Sequence, residues 1–405
     1  MQNCFINLFK LQEFHIEDSK LEGKVMLITV RPKTKGVKCK DCGRYITTIN
    51  RYPKPRRVKH MFWQGNLIML SIKTRAFFCW QCQKRDGRRH ITVDRLKNIP
   101  LNRNYSLAYA DQIMKGLGST SFKTQQELAE SSFATISKIL SERIDPFIGV
   151  WPEEMIASIG LDCHSFSGMK MLPTITDLTN HRLISILPDD RRTTVEKFLE
   201  NMPIAKKEKI TEVCIDMSRD YFRTIARELP QAKIVVDAFH VIADANRRIT
   251  ELRTAIQKRD KVNLPKRLFD KSKEHLKPNE VVSLNEINKA YPELLSLWRF
   301  KEELRRIYKI PNSTLAEISF NAMVNRMKLS KYESVKYWLR TLMRWQKEIL
   351  AYFDNFTTNG YTEGVNTKLK TIKRLSYGFR NIDNYIRKAM LAFLPIGLLL
   401  SHYLT

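Results

Sequence analysis

Acidic residues and long hydrophobic runs are both scarce in this chain of 405 residues. It carries 42 Asp+Glu against 70 Lys+Arg, and the net charge of +28 indicates a polyanionic partner. The longest apolar run, Met390–Leu400, is too short to span a bilayer and contains Pro395 and Gly397. The first residues also lack the basic start and apolar stretch of a signal peptide. We therefore expect a cytoplasmic protein that binds nucleic acid and no membrane.

Cysteine is sparse and odd in number, with seven residues, which argues against a secreted disulfide scaffold. Four of the cysteines form two pairs, Cys39-x-x-Cys42 and Cys79-x-x-Cys82. Two thiolate pairs of this spacing can close a tetrahedral site without further ligands, which predicts one structural Zn2+. Two unrelated cysteine turns are the alternative interpretation. The other three cysteines are interpreted as buried or incidental thiols: Cys4, Cys163 and Cys214.

Residues 1–100 are predicted to form a basic zinc-ribbon domain that contacts DNA. Between positions 31 and 100 there are 19 Lys/Arg and three acidic residues, with aromatic residues interleaved, and the segments RYITTI and LIMLSIKTRAFFC are typical of strands. A solvated basic face would explain the charge but not the cysteine pairs. We expect contacts mainly with phosphates, through Arg56, Arg57 and Lys59.

Residues 101–150 predict a helix-turn-helix domain. A first helix is expected from Thr124, as N-cap with Glu127 completing a capping box, to Glu130, and a second helix over about 134–142. Apolar residues recur on one face of both segments. A generic pair of antiparallel helices is the alternative. The residues expected to face a major groove are Thr135, Ser137 and Lys138.

From residue 151 the pattern changes to that of an α/β domain. Three consecutive strand-like segments, and then alternating helices and strands, predict one mixed sheet over 151–241. Asp162 and Asp216 are expected at the carboxyl ends of two of its strands, where ligand sites gather in open sheets. Residues 242–353 contain no strand-like segment, and apolar residues recur at helical spacing in LLSLWRFKEELRRIYKI and VKYWLRTLMRWQKEILAYF. This predicts a helical insertion, whose tryptophans are assigned to its core.

A third carboxylate, Glu363, follows the Asn359-Gly360 turn at the start of a predicted helix. Separated carboxylates without clustered His or Cys suit the hard cations Mg2+ or Mn2+. Two such ions can activate a water or a 3′-hydroxyl and stabilise the leaving oxygen in phosphoryl transfer. Taken singly, each of these acids could instead be a helix cap or a surface charge.

Four segments together resemble the DDE transposases of bacterial insertion sequences, and most closely their ISL3 group, which has an amino-terminal zinc finger. They are IGLDCHSF, VCIDMSRDY, VVDAFHV and TNGYTEGVNTKLKTIKRLSYGFRN. The resemblance covers most of the chain, with its parts in the same order as in the family: zinc module, helix-turn-helix, catalytic core and carboxyl-terminal glutamate motif. It implies an RNase H-like catalytic core, formed by 151–241 and 354–405, that is interrupted by the α-helical insertion. It also implies that Asp162, Asp216 and Glu363 are the catalytic, metal-binding triad.

Residues Asp237 and His240 form an Asp-x-x-His sequence that resembles the accessory motif found after the second aspartate in several of these groups. His240 could equally be a satisfied core histidine. Cys163 stands where many relatives carry an acid, but this is not a triad position. The basic run after Glu363 is expected to hold phosphates near the scissile bond or to form a solvated helix face. Its residues are Lys368, Lys370, Lys373 and Arg374.

The resemblance therefore implies a bacterial transposase that binds terminal inverted repeats, cleaves the element ends and joins 3′-hydroxyls to target DNA. Because two ends must be held together, a homodimer or a larger assembly is expected. A transposase-derived DNA-binding regulator without catalysis is the main alternative, and the complete triad argues against it. An RNase H-like nuclease without strand transfer is a third possibility.

Overall fold

The computed structural model describes residues 6–401, and Cys4 lies outside them. The chain divides into two compact units. One comprises the residues up to Pro146 together with those from Lys373 on, and the other comprises Phe147–Ile372. Within the described range, no helix combines the length and the apolar character needed to cross a membrane.

After a helical turn at residues 6–8, the described part of the first unit continues with nine strands and one short helix. In chain order these are β1 (Phe14–Glu22), β2 (Val25–Pro32), β3 (Val37–Lys38), β4 (Tyr45–Ile46), β5 (Ile49–Arg51), β6 (Arg56–Trp63), β7 (Asn66–Ile72), β8 (Ala76–Phe78), α1 (Trp80–Asp86) and β9 (Ile91–Val93). Four of them form a sheet in the order β1-β2-β7-β6, with β2 and β7 parallel. Alternating side chains of β2 and β7, among them Ile28, Val30 and Ile68, are fully buried and form its core.

The cysteines lie outside this four-stranded sheet, among much shorter strands. β3 pairs with β4, and β5, β8 and β9 form a three-stranded sheet. The predicted strand segment LIMLSIKTRAFFC therefore contributes to two different sheets, through β7 and β8. The four-stranded sheet is an additional layer that the sequence analysis did not predict.

Three helices follow in the first unit: α2 (Leu107–Leu117), α3 (Phe122–Leu128) and α4 (Phe133–Ile144). The predicted pair of helices is present, but the prediction of Thr124 as N-cap is wrong. The hydroxyl of Ser121 accepts a hydrogen bond from the backbone N–H of Thr124, so α3 begins one residue after Ser121. Ser132 caps α4 in the same way, through the N–H of Thr135.

The second unit contains one five-stranded sheet. Its elements are β10 (Ser158–Ser167), β11 (Lys170–Asp177), β12 (Arg182–Ile186), α5 (Arg192–Glu200), α6 (Ile204–Lys207), β13 (Glu212–Ile215), α7 (Arg219–Glu228) and β14 (Lys233–Val236). The spatial order is β12-β11-β10-β13-β14. β10, β11 and β12 form an antiparallel meander, whereas β13 and β14 run parallel to β10. The predicted mixed sheet is confirmed.

A helical region follows β14 directly. It comprises α8 (Ala238–Asp260), α9 (Lys266–Asp270), α10 (Pro278–Ala290), α11 (Pro292–Ile307), α12 (Ser313–Lys328), α13 (Glu333–Arg344), α14 (Gln346–Leu350) and α15 (Tyr352–Asn355). Trp298, Trp338 and Trp345 are buried in its shared core, as the apolar periodicity predicts. The region begins at Ala238, four residues earlier than expected.

Three more helices follow among the described residues: α16 (Gly360–Leu375), α17 (Ile382–Leu391) and α18 (Ile396–Ser401). The greater part of α16 belongs to the second unit and carries Glu363 in its first turn. In the first unit α17 packs along α4, where Arg387 forms an ion pair with Asp145. Two single turns of 3-10 helix, Asp145–Phe147 and Lys273–His275, are also present.

Candidate functional site

Acidic side chains meet at one edge of the five-stranded sheet. Asp216 directly follows β13 and Asp237 directly follows β14. The prediction that Asp162 ends a strand is wrong, because β10 continues to Ser167 in antiparallel pairing with β11. However, β13, which pairs with β10 in parallel, ends opposite Leu161, the residue before Asp162. Asp162 therefore still lies level with Asp216, at the point where the parallel part of the sheet ends.

Glu363 and His240 complete this cluster from two helices. One ligand atom from each of Asp237, His240 and Glu363 lies within 4.8 Å of the others. His240 Nε2 is also 3.8 Å from Asp162 Oδ1. The charges of His240 and Asp162 both act on Asp216. The structure thus gathers all five residues predicted for the catalytic and accessory roles, and the tightest group contains the accessory pair.

The cluster contains buried polar atoms that lack hydrogen-bond partners among the described residues: Asp216 Oδ1, Asp237 Oδ2, His240 Nε2 and Glu363 Oε1. Burial raises the pKa of the carboxyl groups of Asp216 and Asp237, and the neighbouring His240, in its protonated form, partly opposes this rise. Burial and the neighbouring Asp237 raise the pKa of Glu363. Unpaired carboxylate oxygens are costly to bury, so this donor set fits a bound cation.

Asn366 connects α16 to Asp162. Its amide nitrogen donates to Asp162 Oδ2 at 2.9 Å, and its oxygen accepts from the hydroxyl of Thr174 on β11 at 2.7 Å. The Thr174 hydroxyl has one proton, so His164 must donate to it from Nδ1, at 2.9 Å. The backbone N–H of Cys163 donates to Asp162 Oδ1. Both oxygens of Asp162 are therefore held in fixed positions.

Gly160 allows α16 to approach β10 this closely. A Cβ atom at this position would lie 2.4 Å from Thr362 Oγ1, 2.5 Å from Asn359 Oδ1 and 2.8 Å from Thr176 Oγ1. Those groups already bond to one another, since the Thr362 and Thr176 hydroxyls are 2.6 Å apart and Asn359 contacts Thr362. Any side chain at residue 160 would push the first turn of α16, and Glu363 with it, away from the sheet.

The polar residues that fix α16 to the sheet are not among those predicted from the sequence. Asn359, Thr362 and Asn366 are spaced by three and four residues, which places them with Glu363 on one helix face. All three are buried. Polar side chains at helical spacing on both sides of a candidate catalytic residue were the available signal.

We predict that Gly160→Ala destabilises the protein by about 1–3 kcal/mol, the usual cost of overpacking, and strongly reduces any activity of the carboxylate cluster. Gly364→Ala is the matched control, because a Cβ there meets nothing within 4 Å although the residue adjoins Glu363. It should be neutral or stabilising by up to about 1 kcal/mol. Thermal unfolding of both variants tests this. Equal stability of the two variants would show that β10 and α16 are not packed at Gly160.

The four paired cysteines converge in the first unit. The Sγ atoms of Cys39 and Cys82 are 3.8 Å apart, and those of Cys42 and Cys79 are 3.7 Å apart. A tetrahedral Zn2+ with Zn–S bonds of about 2.3 Å requires sulfur–sulfur distances of about 3.8 Å. Burial opposes ionisation, yet hydrogen bonds from backbone groups of Asp41 and Cys42 lower the pKa of Cys39 to about 6. The cluster therefore fits one zinc ion.

His90 supports the cysteine cluster without belonging to it. Its Nδ1 lies 2.7 Å from Asp41, in the first cysteine loop, and its Nε2 lies 2.9 Å from Asp86, at the end of α1. Its backbone carbonyl accepts from the N–H of Cys79. The histidine thus connects the two cysteine pairs.

Three of the residues predicted to contact DNA have hydrogen-bond partners within the chain. The guanidinium group of Arg56 donates to the backbone carbonyls of Pro100 and Arg103. The ammonium group of Lys59 donates to the carbonyl of Glu130, at the end of the turn after α3. The hydroxyl of Ser137 donates to Asn384 on α17 at 2.8 Å.

The remaining DNA-binding residues predicted for the zinc-ribbon and helix-turn-helix domains meet in one depression of about 490 Å3. It brings Arg57 of β6 together with Thr135 and Lys138 of α4, and Arg57 and Lys138 are exposed. Asn102 and Arg103 also line it. The two sets of residues that the sequence assigned to separate modules therefore share one surface.

The predicted basic run lies along α16. Lys368, Lys370 and Arg374 are exposed, whereas Lys373 is half-buried. Lys370 follows Glu363 by seven residues and so lies two turns further along nearly the same face.

Comparison with known proteins identifies the family. Residues 159–389 match the model of the ISL3 family of DDE proteins, described as transposase, which is more than half of the chain. The transposase of insertion sequence IS1001 of Bordetella parapertussis is 23% identical, over 92% of both chains. The transposase of IS1557 of Mycobacterium tuberculosis is 21% identical, over 93% of this chain and 90% of that protein. The chain therefore belongs to the ISL3 group of DDE transposases.

Proposed function

We propose that this chain is the transposase of an insertion sequence, which binds its terminal inverted repeats, cleaves the ends and joins the 3′-hydroxyls to target DNA. The observation that carries the proposal is the cluster of Asp162, Asp216 and Glu363 with Asp237 and His240 at one sheet edge. Because both element ends must be processed together, we expect it to act as a dimer or a larger assembly.

An RNase H-like core is part of this proposal. The sheet order, third-second-first-fourth-fifth in chain order of its strands, supports it, as do the antiparallel meander and the two parallel strands that follow. The helical region interrupts this core between β14 and α16. The interruption separates Glu363 from the two aspartates in sequence but not in space.

Asp162, Asp216 and Glu363 would hold two Mg2+ or Mn2+ ions, for which the buried unpaired oxygens of Asp216 and Glu363 are suitable donors. When bound, such ions activate the attacking oxygen and stabilise the leaving oxygen of a phosphodiester. Asn366 fixes the orientation of Asp162, and His240 lies where its protonated form opposes the mutual repulsion of the carboxylates. These contacts hold the acids in place before DNA arrives, which lowers the cost of reorganisation during the reaction.

DNA binding is proposed for the first unit, where the zinc-ribbon and helix-turn-helix parts of the prediction lie. The depression around Arg57, Thr135 and Lys138 supports this assignment, because it combines exposed cations with the exposed start of α4. Arg56 and Lys59 are assigned to holding this surface together, because both donate to backbone carbonyls.

Salt dependence separates the roles of these residues. Arg57→Ala should reduce the slope of log K against log salt by about 0.9 and weaken binding to all DNA, because a phosphate contact releases a counterion. Thr135→Ala should instead reduce the preference for element ends over random DNA by roughly 1–3 kcal/mol. Salt titrations on both DNAs measure this. Loss of end preference in Arg57→Ala at an unchanged slope would reverse the assignment.

The proposal is tested by incubating the full chain and Mg2+ with a duplex that carries the inverted repeats flanking its gene, together with a second DNA as target. Joined molecules are expected. Cut ends without joined products would favour the nuclease alternative. Specific binding of the repeats without cleavage would favour the regulator.

A further inference from the structure

Three arginines surround a depression in the second unit that belongs to none of the sites above. Its volume is about 290 Å3. Its lining residues are Arg219, Phe222, Arg223, Arg344, Trp345 and Glu348. All three arginines are exposed, whereas Trp345 and Glu348 are buried.

The depression lies next to the candidate active site in the fold. Arg219 is the first residue of α7, three residues after Asp216, and Arg223 lies one turn further along the same helix. Because α7 begins where β13 ends, its first turn lies at the sheet edge that carries the acidic cluster. Arg344, the last residue of α13, brings a third guanidinium group from the helical region.

Aromatic packing fixes the floor of the depression. The rings of Phe222 and Trp345 meet edge to face with centroids 5.8 Å apart. Trp345 is 5% exposed and belongs to the core of the helical region. The contact joins α7 to the segment after α13, so the three arginines are presented by backbone that is held in place.

The three arginines carry charge that the protein does not neutralise. Among the described residues, no ion pair and no side-chain hydrogen bond involves Arg219, Arg223 or Arg344. Arg227, one turn beyond Arg223 on α7, is different: it pairs with Glu196, Glu200 and Glu228. Glu348 is the one carboxylate that lines the depression, and it can offset at most one of the three positive charges.

We propose that Arg219, Arg223 and Arg344 bind a backbone phosphate of DNA that lies across the candidate active site. Guanidinium groups match phosphate oxygens in paired hydrogen bonds and remain charged at all physiological pH values. The inference rests on the proposed function and adds a phosphate site that lies outside the acidic cluster and the basic run of α16. The phosphate belongs either to the element end or to the target DNA.

The test uses the full chain with Arg219, Arg223 and Arg344 all replaced by glutamine. The probes are a duplex with one inverted repeat and a random-sequence duplex of equal length. For the duplex whose phosphate is held, the slope of log K against log salt should fall by about 0.9 per phosphate. At least a tenfold loss is expected in end cleavage if that duplex is the element end. If the held phosphate belongs to the target DNA, joining should fall at least tenfold while cleavage stays normal.

Arg227→Gln is the matched control, because it removes one arginine from the same helix whose charge is already paired. It should leave both slopes and both reactions unchanged. Thermal unfolding verifies that each variant is folded. If the triple variant fails to fold, the three single replacements are tested in its place, and each should lower the affected reaction rate at least threefold. The proposal is overturned if folded variants cleave and join at the wild-type rates with unchanged slopes. A wild-type chain that neither cleaves nor joins would instead refute the proposed function.

Discussion

Replacing any one of Asp162, Asp216 and Glu363 by alanine should abolish DNA cleavage, while binding of the inverted repeats stays nearly unchanged. The three carboxylates lie in the second unit, and they supply oxygen ligands rather than contacts with bases. Removing one ligand from a site that stabilises charge in phosphoryl transfer should lower the rate by at least about a thousandfold, or about 4 kcal/mol of transition-state stabilisation. Cleavage of an end-labelled repeat duplex measures the rate, and a gel shift measures binding.

Asp220→Ala is the control for these variants. Asp220 is exposed on the first turn of α7, four residues after Asp216, and carries the same charge without belonging to the cluster. It should cleave at the wild-type rate. If one of the three alanine variants retained a tenth of the wild-type cleavage rate, the replaced residue would not belong to the triad.

The order of elements in the second unit could be predicted from the sequence because each element has a strong local signal. All four residues of β13 are buried and three of them, Val213, Cys214 and Ile215, form an apolar run, whereas α7 alternates buried and exposed residues at helical spacing. The end of β10 was predicted wrongly. Whether a strand continues past Asp162 depends on β11 continuing to pair with it, and this is a contact between separate segments.

The four-stranded sheet of the first unit was missed for a similar reason. β1 has one buried residue among nine, and its polar side chains give no period-two signal. β2 and β7 pair in parallel although more than thirty residues separate them. The dense positive charge of this region was informative about its partner but not about its strands.

Local signals in competition explain the wrong helix start. Ser121 and Thr124 are both good N-cap residues, and the capping-box spacing to Glu127 favoured Thr124. The same letters, Ser-Phe-x-Thr, open both α3 and α4, with the serine as the cap in each. That repeat was visible in the sequence and would have given both starts correctly.

Assignment of DNA contacts was least accessible to sequence reasoning. A lysine or arginine in a basic segment is equally compatible with a phosphate contact and with a structural hydrogen bond. Arg56 bonds to carbonyls more than forty residues away, and Ser137 bonds to Asn384. The proposed site of three arginines around Trp345 has no sequence signal, since residues 219 and 344 are brought together only by the fold.

The wild-type chain should contain one zinc ion, and the Cys39→Ser and Cys79→Ser variants should lose it. Structural zinc sites contribute about 10–16 kcal/mol of binding free energy that is also folding free energy. The strands around the cysteines are only two or three residues long, from Val37–Lys38 to Ile91–Val93, so little else stabilises them. We expect this part of the first unit to unfold in either variant.

Because β1, β2, β6 and β7 have a separate apolar core and the second unit has its own sheet, the rest of the chain should stay folded after zinc is lost. Thermal unfolding should therefore gain a low-temperature transition, which a strong chelator reproduces in the wild type. Cys214→Ser is the control, since Cys214 lies in β13 of the second unit. This variant should keep one zinc ion per chain. A Cys39→Ser variant that lacks zinc yet unfolds like the wild type would show that the cysteines do not hold a structural metal.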